Sequence, residues 1–244
     1  MIKKRIIIVL TFLDGVLFRT KKFKPDYRYT KNFVDLWSAD EIILIDISKK
    51  KFQKKFLDIV DFFSKNCFVP ISVGGGIDNF EKAEYLFRNG ADKIILNSHT
   101  IKRPELIINI NKVYGEQSII HSIDCKKVLK KYKVFIENGT VDTNLDPVSR
   151  CEDLIKLGVG ELLINNIDND GSLTGFNIEL IKKFKKFKKP TLALGGAGSW
   201  DHILNLFKET DISGACTQNI FHFTEKSLNS LKQYLNNQDI AIRN

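Results

Sequence analysis

The residues in this sequence that could do chemistry stand where short apolar runs end. Thr11, Asp14, Asp46, Asn97, Ser98, Asp124, Asn165, Asp168, Asp170, Gln218 and Asn219 all occupy such positions. An aspartate closing a central strand, as Asp124 does after Ile123, can transfer protons in a site mouth or can simply cap the loop that follows. Glycine turns accompany these residues. Val73-Gly74-Gly75-Gly76-Ile77 follows an apolar run and precedes a polar segment opening at Asp78. A glycine there permits positive φ and removes the Cβ that would hold an anion away from backbone N–H groups, although glycine also serves plain tight turns. The pattern occurs twice, since Pro190-Thr191-Leu192-Ala193-Leu194-Gly195-Gly196-Ala197-Gly198 repeats the order of proline, apolar run and glycine turn.

The elements that must position these residues alternate. Strand-like runs fall at 5–10, 41–47, 68–73, 93–97, 118–124, 161–167, 190–194 and 214–220, and helical stretches at 51–66, 79–89, 104–114, 147–157, 177–187, 200–208 and 225–235. Eight strands alternating with helices predict a single (β/α)₈ TIM barrel, with residues 236–244 as a loose tail. The halves echo one another: Glu41-Ile42-Ile43-Leu44-Ile45-Asp46-Ile47 matches Glu161-Leu162-Leu163-Ile164-Asn165-Asn166-Ile167. The chain therefore reads as two half-barrel repeats, at about residues 1–120 and 121–235, with a glycine turn after strands three and seven. Two phosphate sites facing each other across one mouth call for a substrate phosphorylated at both ends.

Composition limits the alternatives. With 43% hydrophobic and 27% charged residues over 244 positions, the chain can bury a large core. No apolar run is long enough to span a membrane, and residues 1–10 do not form a secretion signal, so a cytoplasmic location is expected. The net charge of +9 raises the question of nucleic acid. In the densest basic run, 182–189, Phe184 and Phe187 stand at helical spacing, so its lysines read as the wet face of a covering helix. Neither nucleic acid nor membrane is expected as a partner. The four cysteines lie far apart without a CxxC pair, so neither a disulfide framework nor a metal site is indicated, and no cofactor is expected.

The ordered set Lys4-Arg5-Ile6-Ile7, Asp14-Gly15, Val73-Gly74-Gly75-Gly76-Ile77, Gly90-Ala91-Asp92-Lys93, Ile123-Asp124, Ile167-Asp168-Asn169-Asp170-Gly171, Gly195-Gly196-Ala197-Gly198 and Phe221-His222-Phe223 resembles the cyclase subunit (HisF) of imidazole glycerol phosphate synthase. That resemblance implies a barrel that takes ammonia from a HisH-like glutaminase partner in a heterodimer and uses it at its mouth on a bisphosphorylated ribonucleotide. It implies Asp124 as general acid and Asp170 as a supporting carboxylate. Gly75, Gly76, Asn97 and Ser98 would form one phosphate cradle, and Gly175, Gly196 and Asn219 the other. Arg5, Glu41, Lys93 and Glu161 would form a charged ring gating ammonia entry, and Asp92 would dock the glutaminase. The sequence departs from the family at strand one, where Thr11 replaces a catalytic aspartate, and at Gln218-Asn219. A threonine hydroxyl is no base near neutral pH, and losing a positioned base typically costs about 10²–10⁴ in rate.

A second resemblance accommodates that departure. Phe23-Lys24-Pro25-Asp26-Tyr27-Arg28-Tyr29, Thr11 and Leu145-Asp146-Pro147 are similar to the glycosyl amidation-associated (WbuZ-like) branch of this family. It implies delivery of ammonia, alongside a glutaminase and a separate sugar amidotransferase, for amidination of sugars in surface-polysaccharide synthesis. Two alternatives stand beside it. One is an authentic cyclase of histidine biosynthesis in which Asp14 or Asp46 replaces the lost base, and the other is a non-catalytic barrel that only binds and activates a glutaminase.

Overall fold

The computed structural model describes residues 3–28, 39–218 and 228–243. Its strands, in chain order, are β1 (Arg5–Leu13), β2 (Val16–Lys21), β3 (Lys24–Arg28), β4 (Glu41–Asp46), β5 (Ile71–Gly74), β6 (Lys93–Leu96), β7 (Ile119–Val128), β8 (Lys131–Ile136), β9 (Val141–Asp142), β10 (Glu161–Asn166), β11 (Thr191–Leu194) and β12 (Gly214–Thr217). The helices are α1 (Lys54–Asn66), α2 (Phe80–Arg88), α3 (His99–Lys102), α4 (Glu105–Tyr114), α5 (Pro147–Lys156), α6 (Ile178–Lys182), α7 (Trp200–Glu209) and α8 (Leu228–Asn236).

Parallel pairing runs from β1 through β4, β5, β6, β7, β10, β11 and β12 back to β1. The ring is closed, as a (β/α)₈ barrel requires. Its strands are apolar almost throughout because both faces are buried. Ile6, Ile8, Leu10, Ile42 and Leu44 pack outward under the helices, whereas Ile7, Val9, Ile43, Ile95, Ile120, Leu163, Leu192 and Cys216 form an inner cluster. Helix starts are set by side-chain caps: Asn79, Asp146 and Ser199 accept N–H groups at the heads of α2, α5 and α7.

The strands expected from residues 68 and 190 begin later, at Ile71 and Thr191. Pro70 and Pro190 have no N–H to donate, yet their carbonyls accept Ile42 N and Leu162 N, each at 3.0 Å. Each proline therefore marks the first usable acceptor of its strand. The helix expected over 177–187 ends at Lys182 and continues as turns. Phe184 is nevertheless buried, and the surrounding lysines pair with acids of neighbouring elements, including Lys182 with Glu209, Lys185 with Asp211 and Lys186 with Glu152. The tail is anchored as well, since Lys4 N donates to Ala241 O and Arg243 N to Lys4 O. The expected strand at 214–220 is described to Thr217, and Asn219 lies outside the described residues.

Two hairpins not expected from the sequence rise from the barrel. β1 runs past the ring to pair antiparallel with β2, which pairs with β3. Four strands further round, β7 does the same with β8, and β8 with β9.

Candidate active site

The carboxyl ends of the strands enclose a cavity of about 180 Å³. Its base is apolar, formed by Val9, Ile43, Ile95, Leu163 and Cys216, and its walls are polar. Gly75 and Gly76 line one wall, and Gly195 and Gly196 line another. Because β5 and β11 are four strands apart in a ring of eight, the two turns face each other. All four glycines have positive φ, between 74° and 107°. Close packing demands them too: a Cβ on Gly75 would lie 2.4 Å from Asp46 O, and one on Gly195 2.6 Å from Asn166 O. Asp46 and Asn166 are the residues that the sequence echo pairs, and each contacts the glycine turn of the next strand in the same way.

Asp124 points from β7 into this cavity and is 6% exposed. Its Oδ1 accepts from Ser122 Oγ at 2.7 Å and its Oδ2 from Asn97 Nδ2 at 2.6 Å. Burial raises its pKa to about 6, against the pull of hydrogen bonds from Ser122, Asn97 and Asn165, with the charge of Asp170 adding to the rise. A carboxyl so placed can hold a proton near neutral pH and release it, as a general acid must. Asn97, expected in a phosphate cradle, has its amide engaged with this carboxylate. Asn165 lines the cavity with a buried Oδ1 that has no hydrogen-bond partner.

Asp170 lies in the loop after β10 and ties down the first hairpin. Its Oδ1 accepts from Thr20 Oγ1 at 3.1 Å and its Oδ2 from Phe23 N at 2.9 Å, while its backbone oxygen accepts Lys22 N at 3.0 Å. Burial raises its pKa, opposed by the Phe23 and Thr20 hydrogen bonds and by Arg19. The second hairpin reaches over from the other side: Glu137 N donates to Ser98 Oγ and Asn138 Nδ2 to Ile47 O. The hairpins meet where Phe23 lies against Gly139, whose Cβ, if present, would be 3.0 Å from the ring. Residues 16–28 after strand one thus form a hairpin at the mouth.

Thr11 lines the cavity from β1 and is 6% exposed. The two residues expected to stand in for a base there are placed differently. Asp14 is exposed at the β1–β2 turn, away from the cavity lining. Asp46 lines the cavity, but its two carboxylate oxygens accept Ser48 N and Phe52 N. Gly175 lies behind the mouth, its N–H donating to Gly196 O at 2.8 Å, so it shapes the Gly195–Gly196 wall without lining it. Two charged side chains of the mouth lie outside the sequence motifs, Lys51 after β4 and Glu137 at the tip of the second hairpin. Among the described residues no cluster of histidine, cysteine or acidic side chains could hold a metal, the four cysteines are free thiols, and no helix is long and apolar enough to cross a membrane.

At the opposite end, Arg5, Glu41, Lys93 and Glu161 are the first residues of β1, β4, β6 and β10. They form one alternating ring. Arg5 Nη1 is 2.6 Å from Glu41 and Arg5 Nη2 bonds Glu161, while Lys93 Nζ lies 3.2 Å from Glu41 and 3.0 Å from Glu161. Burial alone would raise the Glu41 pKa, but Arg5 and Lys93 reverse this and hold it below the usual carboxylate range. Burial likewise opposes the charge on Arg5, and its bonds to Glu161 and Glu41 outweigh it and raise its pKa. The expected charged ring is bonded all round, and apolar Ile7, Ile120 and Leu192 belong to the same inner cluster as Val9, Ile43 and Leu163 of the cavity base. Asp92 sits at this end, exposed, with Oδ2 accepting Ile71 N at 2.8 Å.

A closed parallel barrel with facing glycine turns and a buried acid at its mouth defines a mouth-site α/β-barrel protein. The model for histidine biosynthesis proteins matches residues 8–227. Over its full length the chain is 34% identical to the imidazole glycerol phosphate synthase subunit HisF of Natranaerobius thermophilus, covering 100% of both chains. It is 35% identical to that of Bacillus cereus over 84% of this chain and 82% of the relative, and 37% identical to that of Campylobacter concisus over the same shares. The chain belongs to the HisF family of histidine biosynthesis proteins.

Proposed function

We propose that this chain is the synthase subunit of a glutamine amidotransferase, a cyclase-type HisF barrel that receives ammonia at its floor from a HisH-like glutaminase. In this reading the ammonia serves sugar amidination in surface-polysaccharide synthesis, with a separate sugar amidotransferase, rather than histidine synthesis. The observation that carries it is a mismatch between the two ends. The four charges of the floor are all present and all paired, whereas the mouth presents Asp124 with Thr11, not a second carboxylate, on β1. Neutral ammonia crosses an apolar layer such as that around Ile7 and Leu192 at far lower cost than ammonium, so the inner cluster favours the species a synthase needs.

At the mouth, Asp124 gives up a proton and Asn97 and Ser122 stabilise the carboxylate that remains. Asp170 holds the first hairpin over the site and so excludes water. The facing glycine walls and Ser98 receive the anionic ends of the substrate, and Asp92 meets the glutaminase outside the ring. A second reading, an authentic cyclase, draws on both glycine walls and the Asp124–Asp170 pair sharing one site. It would need Asp46, which lines the cavity with each oxygen accepting one backbone N–H, to act as base in place of Thr11.

The test is to co-express the chain with HisH-like glutaminases and supply glutamine labelled with ¹⁵N in its amide. A heterodimer with stimulated glutamine hydrolysis, and label appearing in an acetamidino sugar once the amidotransferase is added, is the expected result. No complex, or label found only in imidazole glycerol phosphate, overturns the proposal.

A further inference from the structure

We infer that Lys51 is the anion-binding residue of the Gly75–Gly76 wall, set to receive a phosphate-like group in the mouth. The inference rests on the reading of the mouth as a site for anionic substrate and deepens it by naming the side chain that carries the charge. Four carboxylates line the cavity, those of Asp46, Asp124, Glu137 and Asp170. Together they repel an anion, and backbone N–H groups alone offer only partial charges against them. Among the described residues, Lys51 is the one lysine or arginine of the lining.

Its position is built rather than incidental. The stem lies on the glycine turn, so that a Cβ on Gly76 would come within 2.4 Å of Lys51 Cβ. The ammonium bonds two neutral oxygens, Asp46 O at 3.1 Å and Asn138 Oδ1 at 3.2 Å. Among the described residues it makes no ion pair, while Asp46, Glu137 and Asp124 act on it from further off. A half-buried lysine held by neutral acceptors has donor capacity left for an anion, while burial lowers its pKa against the pull of Asp46, Glu137 and Asp124. Asn138 is the partner an arriving anion would displace, because it comes from the tip of a hairpin rather than from the barrel wall.

The test is titration of the full chain with inorganic phosphate, followed by calorimetry and ³¹P NMR, for wild type, Lys51→Met and Lys51→Arg. Thermal melts would establish that each variant is folded. Losing a charge-assisted bond to phosphate weakens binding by about 10- to 100-fold. Lys51→Met is expected to lose one binding step by that factor and keep the weaker step of the Gly195–Gly196 wall, with Lys51→Arg retaining both. Unchanged phosphate binding in Lys51→Met overturns the assignment of Lys51 and leaves the anionic mouth standing. Absence of phosphate binding in wild type overturns both together.

Discussion

Asn97 Nδ2 lies 2.6 Å from Asp124 Oδ2, so a side chain following β6 holds the buried acid of β7. A hydrogen bond to the charged form favours that form. Asn97→Leu therefore raises the Asp124 pKa above its present value of about 6. Carboxyl ¹³C NMR titration of wild type and variant checks the direction, and an unchanged or lower midpoint contradicts it.

The same acid burdens the fold at neutral pH. Its pKa rises from 3.8 unfolded to about 6 folded, so between those values the native state keeps a proton that the unfolded chain has released. Stability from this group is thus full below pH 3.8, falls as pH rises towards 6 and is level above. Asp124→Asn removes the dependence. Relative to wild type the variant gains up to about 3 kcal/mol between pH 4 and pH 7. Urea unfolding at the two pH values measures it.

Arg5 is bonded to both buried glutamates of the floor ring, which Lys93 also pairs, and Arg243 lies 3.7 Å from Glu41. Breaking a buried pair by removing one partner typically costs about 3–5 kcal/mol, because a charge is stranded. Arg5→Leu is expected to fall in that range by urea unfolding at pH 7, and the double variant Arg5→Leu with Glu161→Leu to cost less than the sum of its parts. Strict additivity would mean that the ring is not a unit.

Asp170 holds the first hairpin through Thr20 Oγ1 and Phe23 N. Asp170→Ala frees the Phe23 amide and loosens the hairpin while leaving the barrel ladder intact. Hydrogen exchange at Phe23 should speed up about tenfold or more, with β5 and β11 amides unchanged. Equal protection in the variant would show that the hairpin is held by other contacts.

The barrel was legible because its eight strands are buried on both faces and therefore uniformly apolar, with proline and glycine marking their ends. The glycine walls, the buried acid and the floor charges were legible for the same reason, since each sits at a strand terminus. The hairpins were not. Asp14-Gly15, both at positive φ, is a sequence signal for a two-residue turn, whereas Lys22 and Phe23, and Leu129 in the second hairpin, adopt positive φ without glycine. Lys51 was hidden in the run Lys49-Lys50-Lys51, where one lysine in three turns into the mouth and only tertiary packing against Gly76 selects it. The phosphate role of Asn97 is implied by the resemblance alone, and periodicity cannot reveal that its neighbour across β6 and β7 is Asp124.

The central claim is that the mouth retains a general acid but has lost the base opposite it. The direct measurement is cyclase turnover of the purified chain with saturating ammonium and the bisphosphorylated ribonucleotide, assayed beside the HisF of Bacillus cereus. With Thr11 in place, a rate about 10²–10⁴ below that relative is predicted, rising when Thr11→Asp supplies the carboxylate. Turnover by the unaltered chain equal to that of the relative would contradict it.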